Sequence, residues 1–576
     1  MMKNSMVKTP WIRFYGKSPS TITYPKTTLY HEFMEACNKY GDYVAYEFFG
    51  VKTTYKEALK QVSECAKALK VMGIKKGDKV TICMPNCPQA LIMFYAVNMI
   101  GAIDNMIHPL SSPKEIKFFL EDSNSVAALT LDQFFYKFNE IKNDYKLDHL
   151  IISSVTDALS PLKAFAYKIT SGRKIKKVYE KDNIILWNNF INSSSLYKND
   201  DVLDSSLTYN DQAVILYSGG TTGVCKGISL SNYNFNSLGK QIVKMNYQFI
   251  PGDSMLAAMP IFHGFGLGVS IHSMLANGGR CILVPRFTVD SYATLIKNRK
   301  PNFISGVPSL FEALLKHNGL KKSDLSFLKG IYSGGDSLSI ELKERIDKFL
   351  KARKCKVHIQ EGYGATECVA ASCLTPNSFE KKGSIGIPLP DMYFKIVKPG
   401  TDEEVPYGTE GEICINGPTV MLGYVNQPEE TANTLRVHKD GLTWLHTGDL
   451  GIMDSDGFVY FRQRIKRMIV TNGYNVYPSQ IEKVLMKHHS IAQVCVIGVK
   501  DPIKIQRVIA CIVLKPGFKE SDELKKDILA LCKKYIARYA LPYDMEFRES
   551  IPKTKVGKIA YHELEIEENL KEKALA

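Results

Sequence analysis

The chain has no long hydrophobic run and no pattern of paired cysteines. Its most apolar stretch, Ala90–Ile103, is shorter than the roughly 20 residues that a membrane-spanning helix needs. The segment Met1–Tyr15 lacks the apolar core of a signal peptide. The 13 cysteines are scattered and form no C-x-x-C pair, which argues against a zinc finger or a disulfide scaffold. These absences favour a reducing compartment, and we expect a cytoplasmic protein.

Nucleic-acid-binding modules are also missing. The sequence has no Cys/His finger spacing and no basic-aromatic sheet pattern, so we expect no nucleic-acid partner. The formal charge of +15 favours anionic small molecules or an anionic surface as partners, unless it reflects only a lysine-rich composition. With 576 residues, the chain is too long for one compact core and predicts at least two domains.

A loop rich in glycine and hydroxyl residues, Tyr217–Gly227, is the most informative segment. Its glycines allow positive φ, so that several backbone N–H groups can line one concavity. Short hydroxyl donors and one lysine add to these N–H groups, and together they suit a polyphosphate. Apolar runs on both sides predict strands, and Ser231 or Asn232 could cap a following helix. The candidate ligands are Ser218, Gly219, Gly220, Thr221, Thr222, Gly223 and Lys226.

Two later motifs also suit a nucleotide. In Glu361–Glu367, the glycines permit close backbone approach, Tyr363 offers a flat face for a purine, and Thr366 offers a hydroxyl donor. Glu367 supplies a hard oxygen ligand suited to Mg²⁺. In Trp444–Leu450, we place Asp449 at a tight turn between apolar runs, where its carboxylate could accept two ribose hydroxyls.

A Walker-type phosphate loop is excluded, because that template has Gly directly before Lys and Ser or Thr directly after it. Here Lys226 lies between Cys225 and Gly227. The motifs instead resemble, in order and spacing, those of the acyl-adenylate-forming superfamily, in particular bacterial long-chain fatty acyl-CoA synthetases. That superfamily usually has Pro where Cys225 stands. The resemblance covers about residues 25 to 565.

This resemblance implies roles for further residues. It makes Lys558 the cation that reaches the α-phosphate, Arg464 a ribose contact, Lys466 a hinge residue, and the Gly473 loop a wall of the CoA path. It assigns the acyl pocket to His263, Gly264, Ser305, Gly306, Val307 and Gly334. It assigns the ATP site to the phosphate loop together with Gly335, Asp336, Glu361, Gly362, Tyr363, Thr366, Asp449, Arg464 and Lys558, and catalysis to Lys558, Glu367, Thr366, Lys226 and His263.

The fold that we expect is α/β. Apolar residues at helical spacing alternate with short strand-like runs in the N-terminal half, which indicates a sheet covered by helices. The resemblance implies a large N-terminal adenylation domain with parallel or mixed sheets, residues 1–463. A small mobile α/β domain, residues 464–576, would be joined to it at a hinge. We expect the charged tail after Ala560 to be a solvated helix.

The implied reaction has two steps and uses ATP, Mg²⁺ and CoA. A carboxylate attacks the α-phosphate of ATP, giving acyl-adenylate and pyrophosphate, and CoA then displaces AMP. A fatty acid of medium to long chain is the favoured substrate. An aryl-CoA ligase of the 4-coumarate type and a fatty acyl-AMP ligase that loads a carrier protein stay open. A nucleotide-binding protein without catalysis would have lost Lys558, Glu367 or Asp449, and all three are present.

A basic amphipathic segment precedes the phosphate loop. Leu162, Phe165, Ala166 and Ile169 recur at helical spacing, and residues 163–182 contain seven Lys or Arg against two acids. Such a segment could lie on an anionic membrane, which would place the protein peripherally at the inner membrane surface. A solvated surface helix is the alternative. The sequence also leaves open a homodimer.

Overall fold

The computed structural model describes residues 7–199, 206–218, 225–246, 248–377, 379–471, 474–501, 504–554 and 559–575. Among these residues, no helix combines the length and the apolarity needed to cross a bilayer. The strands are β1 (Val44–Phe48), β2 (Val51–Thr54), β3 (Lys79–Cys83), β4 (Ile103–Met106), β5 (Ser125–Leu131), β6 (His149–Ser153), β7 (Ile184–Leu186), β8 (Gln212–Ser218), β9 (Lys226–Ser231), β10 (Ser254–Ala257), β11 (Arg280–Leu283), β12 (Phe303–Gly306), β13 (Gly330–Ser333), β14 (Gln360–Tyr363), β15 (Cys373–Leu374), β16 (Ile387–Pro388), β17 (Tyr393–Val397), β18 (Glu410–Asn416), β19 (Gly423–Tyr424), β20 (Leu435–Val437), β21 (Thr443–Met453), β22 (Val459–Arg464), β23 (Ile469–Thr471), β24 (Tyr474–Val476), β25 (Ile491–Asp501), β26 (Ile505–Leu514) and β27 (Asp544–Phe547).

The α-helices are α1 (Leu29–Lys39), α2 (Tyr55–Val71), α3 (Pro88–Met99), α4 (Pro113–Ser123), α5 (Phe135–Ile141), α6 (Pro161–Ile169), α7 (Trp187–Asn192), α8 (Asn232–Met245), α9 (Ser273–Leu275), α10 (Val289–Arg299), α11 (Pro308–Lys316), α12 (Ile340–Lys351), α13 (Pro428–Thr434), α14 (Pro478–Leu485), α15 (Asp522–Tyr535) and α16 (Tyr561–Leu575). Polar side chains begin many of them. The Ser231 side chain accepts from Asn234 N at the start of α8, which confirms the predicted cap.

Two large, mostly parallel sheets form the N-terminal part. The first has the order β16-β15-β14-β13-β12-β10-β11-β1-β2, and the second has the order β19-β9-β8-β4-β3-β5-β6-β7. In the first sheet, all neighbouring strands among β10 to β14 are parallel to one another. In the second sheet, the same holds for neighbouring strands among β3 to β8. The expected α/β architecture is therefore confirmed.

The main core contains residues from both large sheets and the helices packed on them. Every residue of α3 is buried, and all residues of α8 except Tyr233, Lys240 and Lys244 are buried as well. Because all residues of α3 except Gln89 and Asn98 are apolar, the helix has no polar face for solvent, which is typical of a helix enclosed within a large core. Helix α8 contacts β8 and β9 of the second sheet and also a π-helical segment, Phe265–His272, that follows β10.

Two smaller sheets follow in the chain. The third has the order β17-β18-β21-β20 with β22 beside β21, and the fourth has the order β24-β23-β26-β25 with β27 beside β26. The prediction for the tail is wrong in one respect, because Leu564 of α16 is fully buried and packs with Cys495 and Ile497 of β25. This helix therefore has an apolar face on the fourth sheet, instead of being solvated all round.

Candidate functional site

Three adjacent parallel strands end at one edge of the first sheet. Gly306 at the end of β12 lies in register with Ser333 of β13, and Ser333 lies in register with Glu361 of β14. Gly334 N donates to Gly306 O at 3.1 Å, so the predicted pocket segments are in contact here. Ligands of open α/β sheets bind at the carboxyl ends of the strands, which is where these residues lie.

Glu361 is a buried carboxylate at this edge. It is 8% exposed, and its Oε1 accepts from Leu338 N at 3.0 Å. Burial raises its pKa to about 7, and the Leu338 N–H opposes that shift. Gly335 has a φ of +82°, and the neighbouring Asp336 is exposed with its Oδ1 accepting from Ser337 N at 2.8 Å. Gly335 and Asp336 thus form an open turn above a buried acid.

Asp449 lies at the centre of a hydrogen-bonded group. It is 1% exposed, and its Oδ2 accepts from Tyr363 OH at 2.7 Å. Its Oδ1 lies 2.8 Å from Arg464 Nε. Burial and the Asp449 charge raise the pKa of the Tyr363 hydroxyl, while Asp449 raises the pKa of Arg464. The carboxylate is therefore held in one position, as a group that binds a diol must be.

The predicted tight turn at Asp449 is wrong. The residue lies inside the long strand β21, at an irregularity in its pairing with β18 between Glu412 and Cys414. Gly448 there has a φ of +69°, which lets the strand bulge and continue. The two strand partners Asp449 and Arg464 lie opposite each other in the β21–β22 pair, so the ladder itself brings the acid and the base together.

A second group joins Glu367 to the phosphate loop. Tyr424 OH donates to Glu367 Oε1 at 3.0 Å, and the Lys226 ammonium lies 4.7 Å above the Tyr424 ring. Lys226 also forms an ion pair with Glu430, which lowers the pKa of that carboxyl. Sequence reasoning missed Tyr424 and Glu430, because one Tyr in the two-residue strand β19 and one Glu in the short helix α13 carry no recognisable pattern.

The phosphate loop begins and ends on a hairpin. Ser218 of β8 and Lys226 of β9 face each other in an antiparallel pair, so both ends of the loop are placed. Lys466, the expected hinge residue, is exposed in a 3₁₀ turn, Ile465–Arg467. Seven predicted site residues lie outside the described ranges: Gly219, Gly220, Thr221, Thr222, Gly223, Gly473 and Lys558.

The predicted pocket histidine lies where the π-helical segment begins. His263 Nδ1 accepts from Phe265 N at 3.2 Å, and Gly264 packs directly on the backbone of Val369. Thr366 begins a 3₁₀ turn, Thr366–Cys368, which is followed by Val369. The contact between Gly264 and Val369 packs the start of the π-helical segment against the turn that follows Glu367.

The other predicted pocket residues lie in strand β12 and at its end. Ser305 is fully buried, and its hydroxyl lies 3.0 Å from that of Ser270 in the π-helical segment. Val307 occupies the N-cap position of helix α11.

The residues around Glu367 fit a hard divalent cation. One carboxylate oxygen is anchored by Tyr424 OH, and Glu367 is half-buried beside the end of the phosphate-loop hairpin. Carboxylate oxygens are the ligands that Mg²⁺ prefers, together with the phosphates of a nucleotide. Taken together, the contacts connect a candidate diol-binding carboxylate, a candidate cation ligand and a lysine, which is an arrangement that suits a nucleoside triphosphate.

Comparison with known proteins decides the family. A family model described as AMP-binding enzyme matches residues 33–425, more than half of the chain. The chain is an AMP-binding enzyme. A second model, the AMP-binding enzyme C-terminal domain, matches residues 480–558. The resemblance stated from the motifs is thereby confirmed, including the part of the chain that ends at Lys558.

Relatives extend over nearly all of this AMP-binding enzyme. The long-chain-fatty-acid–CoA ligase of Bacillus subtilis is 34% identical over 566 residues, 97% of this chain and 98% of the relative. The enzyme of the same description from Salmonella typhimurium is 30% identical over 567 residues, again 97% and 98%. A probable 4-coumarate–CoA ligase 3 from Dictyostelium discoideum is 32% identical over 522 residues, 88% of this chain and 89% of the relative.

Solved structures share the fold. The ATP-bound RpMatB-BxBclM chimera B1 superposes with a TM-score of 0.82 at 24% identity, covering 95% of this chain and 99% of the chimera. The anthranilate CoA ligase AuaEII in complex with anthranoyl-AMP gives a TM-score of 0.79 at 22% identity, covering 95% and 98%. The fold expected from the sequence, large α/β sheets followed by a C-terminal domain, is confirmed by these likenesses.

Proposed function

We propose that the protein is an ATP-dependent acyl-CoA synthetase, an acid–thiol ligase that forms AMP and acts on a fatty acid of medium to long chain. The buried carboxylate of Asp449, held by Tyr363 and Arg464, carries the proposal, because it presents fixed acceptors for a ribose diol beside a phosphate loop. The relatives described as long-chain-fatty-acid–CoA ligases, which align over nearly their whole length, support a fatty acid as the acyl substrate and CoA as the thiol.

The first step joins two anions, so charge stabilisation dominates it. A substrate carboxylate oxygen bonds to the α-phosphorus, the bond to the β-phosphate bridge breaks, and pyrophosphate leaves. Lys226 and Lys558 neutralise charge that develops on the phosphates, and the Thr366 hydroxyl donates a hydrogen bond to them. Glu367 would hold the Mg²⁺ that accompanies ATP, and this ion would lower the net charge of the phosphates. Since Lys226 is paired with Glu430, nucleotide binding exchanges a carboxylate partner for a phosphate.

The second step transfers the acyl group to CoA. The CoA sulfur, having lost its proton, bonds to the acyl carbon, and the carbon–oxygen bond to AMP breaks. We place the domain boundary between residues 463 and 464 and the pivot at Lys466, which is exposed in a short turn. Rotation there removes Lys558 from the site and brings the Gly473 loop to the pantetheine path. The oligomeric state, including the homodimer, stays a prediction.

One assay identifies the acid that the enzyme activates. CoA-dependent AMP release is measured across saturated acids of about six to eighteen carbons and across benzoate, anthranilate and 4-coumarate. Highest kcat/KM on a fatty acid supports the proposal. Highest kcat/KM on an aryl acid would replace it with an aryl-CoA ligase, the class named for the Dictyostelium relative. Accumulated acyl-AMP without thioester would indicate a carrier protein as the acceptor.

Peripheral membrane contact is proposed for helix α6 and its surroundings. Leu162, Phe165 and Ile169 of α6 are 80%, 64% and 54% exposed, so the apolar stripe is open to solvent. Lys163 donates to the carbonyl of Phe49, a second aromatic residue that is 51% exposed. Exposed apolar side chains beside lysines fit the boundary between lipid headgroups and acyl chains.

The membrane proposal predicts salt-sensitive binding to vesicles. Each cation near anionic lipid contributes roughly 1 kcal/mol, and salt screens this attraction as the Debye length falls from about 10 Å at 0.1 M to about 3 Å at 1 M. Co-sedimentation with anionic and neutral vesicles at both salt concentrations measures the effect. The variant with Arg173, Lys174, Lys176 and Lys177 changed to Gln should lose binding. Binding that is indifferent to lipid charge, or unchanged in the variant, would remove the membrane role.

A further inference from the structure

Three side chains of the third sheet converge on one point that the proposed reaction does not use. His446 lies on β21, three residues before Asp449. His438 follows β20, and Asp402 lies between β17 and β18. The two histidine side chains are 1% and 4% exposed, whereas Asp402 is 38% exposed and reaches solvent. The point is therefore buried but accessible from one side.

The separations of their ligand atoms fit a bound metal ion. His438 Nε2 and His446 Nε2 are 2.8 Å apart, and Asp402 Oδ1 lies 3.6 Å from the first and 3.9 Å from the second. Ligands about 2.0–2.1 Å from a tetrahedral ion are roughly 3.3 Å from one another. The three observed separations bracket this value, so shifts of roughly half an ångström would place all three atoms around one ion.

The contact between His446 and Glu412 orients the second ring nitrogen of His446, Nε2, toward the metal position. His446 Nδ1 lies 3.0 Å from Glu412 Oε2, and the other Glu412 oxygen accepts from Gly448 N at 2.9 Å. Glu412 is 6% exposed. Because a carboxylate only accepts, Nδ1 carries the proton, and Nε2 presents its lone pair toward His438. A carboxylate behind a histidine is the usual support of a metal-ligating imidazole.

Charge also favours a divalent ion at this point. Asp402 and Glu412 bring two carboxylates to the histidine pair. The nearby Lys395 is paired with Asp440 at 2.9 Å and lies 4.1 Å from the Trp444 ring centre, so its charge is already engaged. One divalent cation would balance both carboxylates.

We propose that Asp402, His438 and His446 bind one Zn²⁺ ion, with Glu412 orienting His446. Two imidazoles and one carboxylate are a ligand set that zinc accepts, and the exposed side near Asp402 allows water as the fourth ligand. Cys414 Sγ lies 3.6 Å from His446 Nδ1, on the Glu412 side of the ring, and is not assigned as a ligand. The ion would brace the strand that carries Gly448 and Asp449.

Metal content of the untagged full-length protein tests the site. The protein is equilibrated with ZnCl₂, passed over a desalting column and analysed by inductively coupled plasma mass spectrometry. We expect about one bound zinc ion per wild-type chain. In His438→Ala and in Asp402→Asn, the amount of bound zinc should fall at least about tenfold. Glu412→Gln should weaken the zinc affinity about 10- to 100-fold. His488→Ala is the control, because His488, His489 and Asp527 form a separate cluster.

Thermal unfolding separates metal binding from misfolding. Added ZnCl₂ should raise the Tm of the wild-type protein and of His488→Ala, but not of Asp402→Asn, whose substituted side chain is partly exposed and leaves the core intact. Wild-type protein without bound zinc would overturn the proposal and leave a histidine pair that shares a proton. Zinc retained by the folded Asp402→Asn and His438→Ala variants would overturn it as well, since the ion would then lie elsewhere.

Discussion

Glu361 shows how a single residue connects the site to stability. Its side chain is buried at the carboxyl end of β14, and burial raises its pKa from an ordinary value of 4.5 to about 7. The folded protein therefore binds this proton more tightly than the unfolded chain does. The resulting stabilisation is complete below about pH 4.5 and is lost as the pH rises through about 7.

The variant Glu361→Gln should remove this pH dependence. A neutral amide keeps an acceptor for Leu338 N–H but has no charge to bury. Between pH 4.5 and 7 the wild-type free energy of unfolding should fall by on the order of 3 kcal/mol relative to the variant, as a shift of this size implies. Denaturant unfolding without nucleotide, at several pH values, measures the difference. If the free energy of unfolding changes with pH in the same way in both proteins, Glu361 stays charged in the folded protein.

The role that we propose for Lys558 separates the two half-reactions. The variant Lys558→Ala should lose acyl-adenylate formation by on the order of 10²–10³, because one donor to a developing anion is removed. Thioester formation from supplied acyl-AMP should continue, since the lysine has left the site by then. Pyrophosphate release and CoA transfer are measured separately. Equal losses in both would contradict this assignment, and Lys553→Ala is a matched control on the same segment.

At the scale of elements, a close backbone contact joins Gly264, just before the π-helical segment, to the turn after Glu367. Val369 has φ +64° and ψ −60°, and Ala370 N donates to Cys368 O at 2.7 Å, which defines a γ-turn with positive φ. This conformation is rare and strained, above all for a β-branched residue. A Cβ on Gly264 would lie 1.5 Å from Val369 O, so only glycine fits there.

The variant Gly264→Ala should be strongly destabilised. The added methyl group meets backbone, which cannot move aside as a flexible side chain could, and we expect a loss of about 3 kcal/mol or more. Gly41→Ala is the control, because its Cβ would meet only an ordinary contact at 3.4 Å. Both are compared by thermal unfolding. A Tm for Gly264→Ala equal to that of the control would mean that the two segments separate readily.

At the scale of the whole molecule, the proposed two-step mechanism includes a rotation of the C-terminal domain about Lys466. The variant Lys466→Pro should still form acyl-adenylate, because proline suits the φ of a 3₁₀ turn, but it fixes that angle and blocks rotation. CoA transfer should fall steeply. Lys466→Ala, which keeps the backbone free, is the matched control and should transfer normally. Wild-type transfer rates in Lys466→Pro would show that the pivot lies at another residue.

Much of the N-terminal fold was predictable from local patterns. The helical spacing of apolar residues in Thr28–Gly41 and Tyr55–Gly73 predicts two helices, and these are α1 and α2. The pattern of Lys79–Met84 predicts a strand, and this is β3. The tight turn expected at Asp449 was wrong, because a glycine between two apolar runs is equally compatible with a bulge. Only the pairing with β18 distinguishes the two, and that partner lies more than 30 residues earlier in the chain.

The sequence alone determined the family and the α/β class, and it predicts the nucleotide-site residues, because short glycine-containing motifs keep their order and spacing along the chain. The tertiary structure decided which other side chains contact these predicted site residues. Tyr424 and Glu430 reach Glu367 and Lys226 from a distant segment, and the His438–His446 pair forms only when β20 and β21 lie side by side. Contacts of this kind depend on which strands pair, and no local pattern of residues records that.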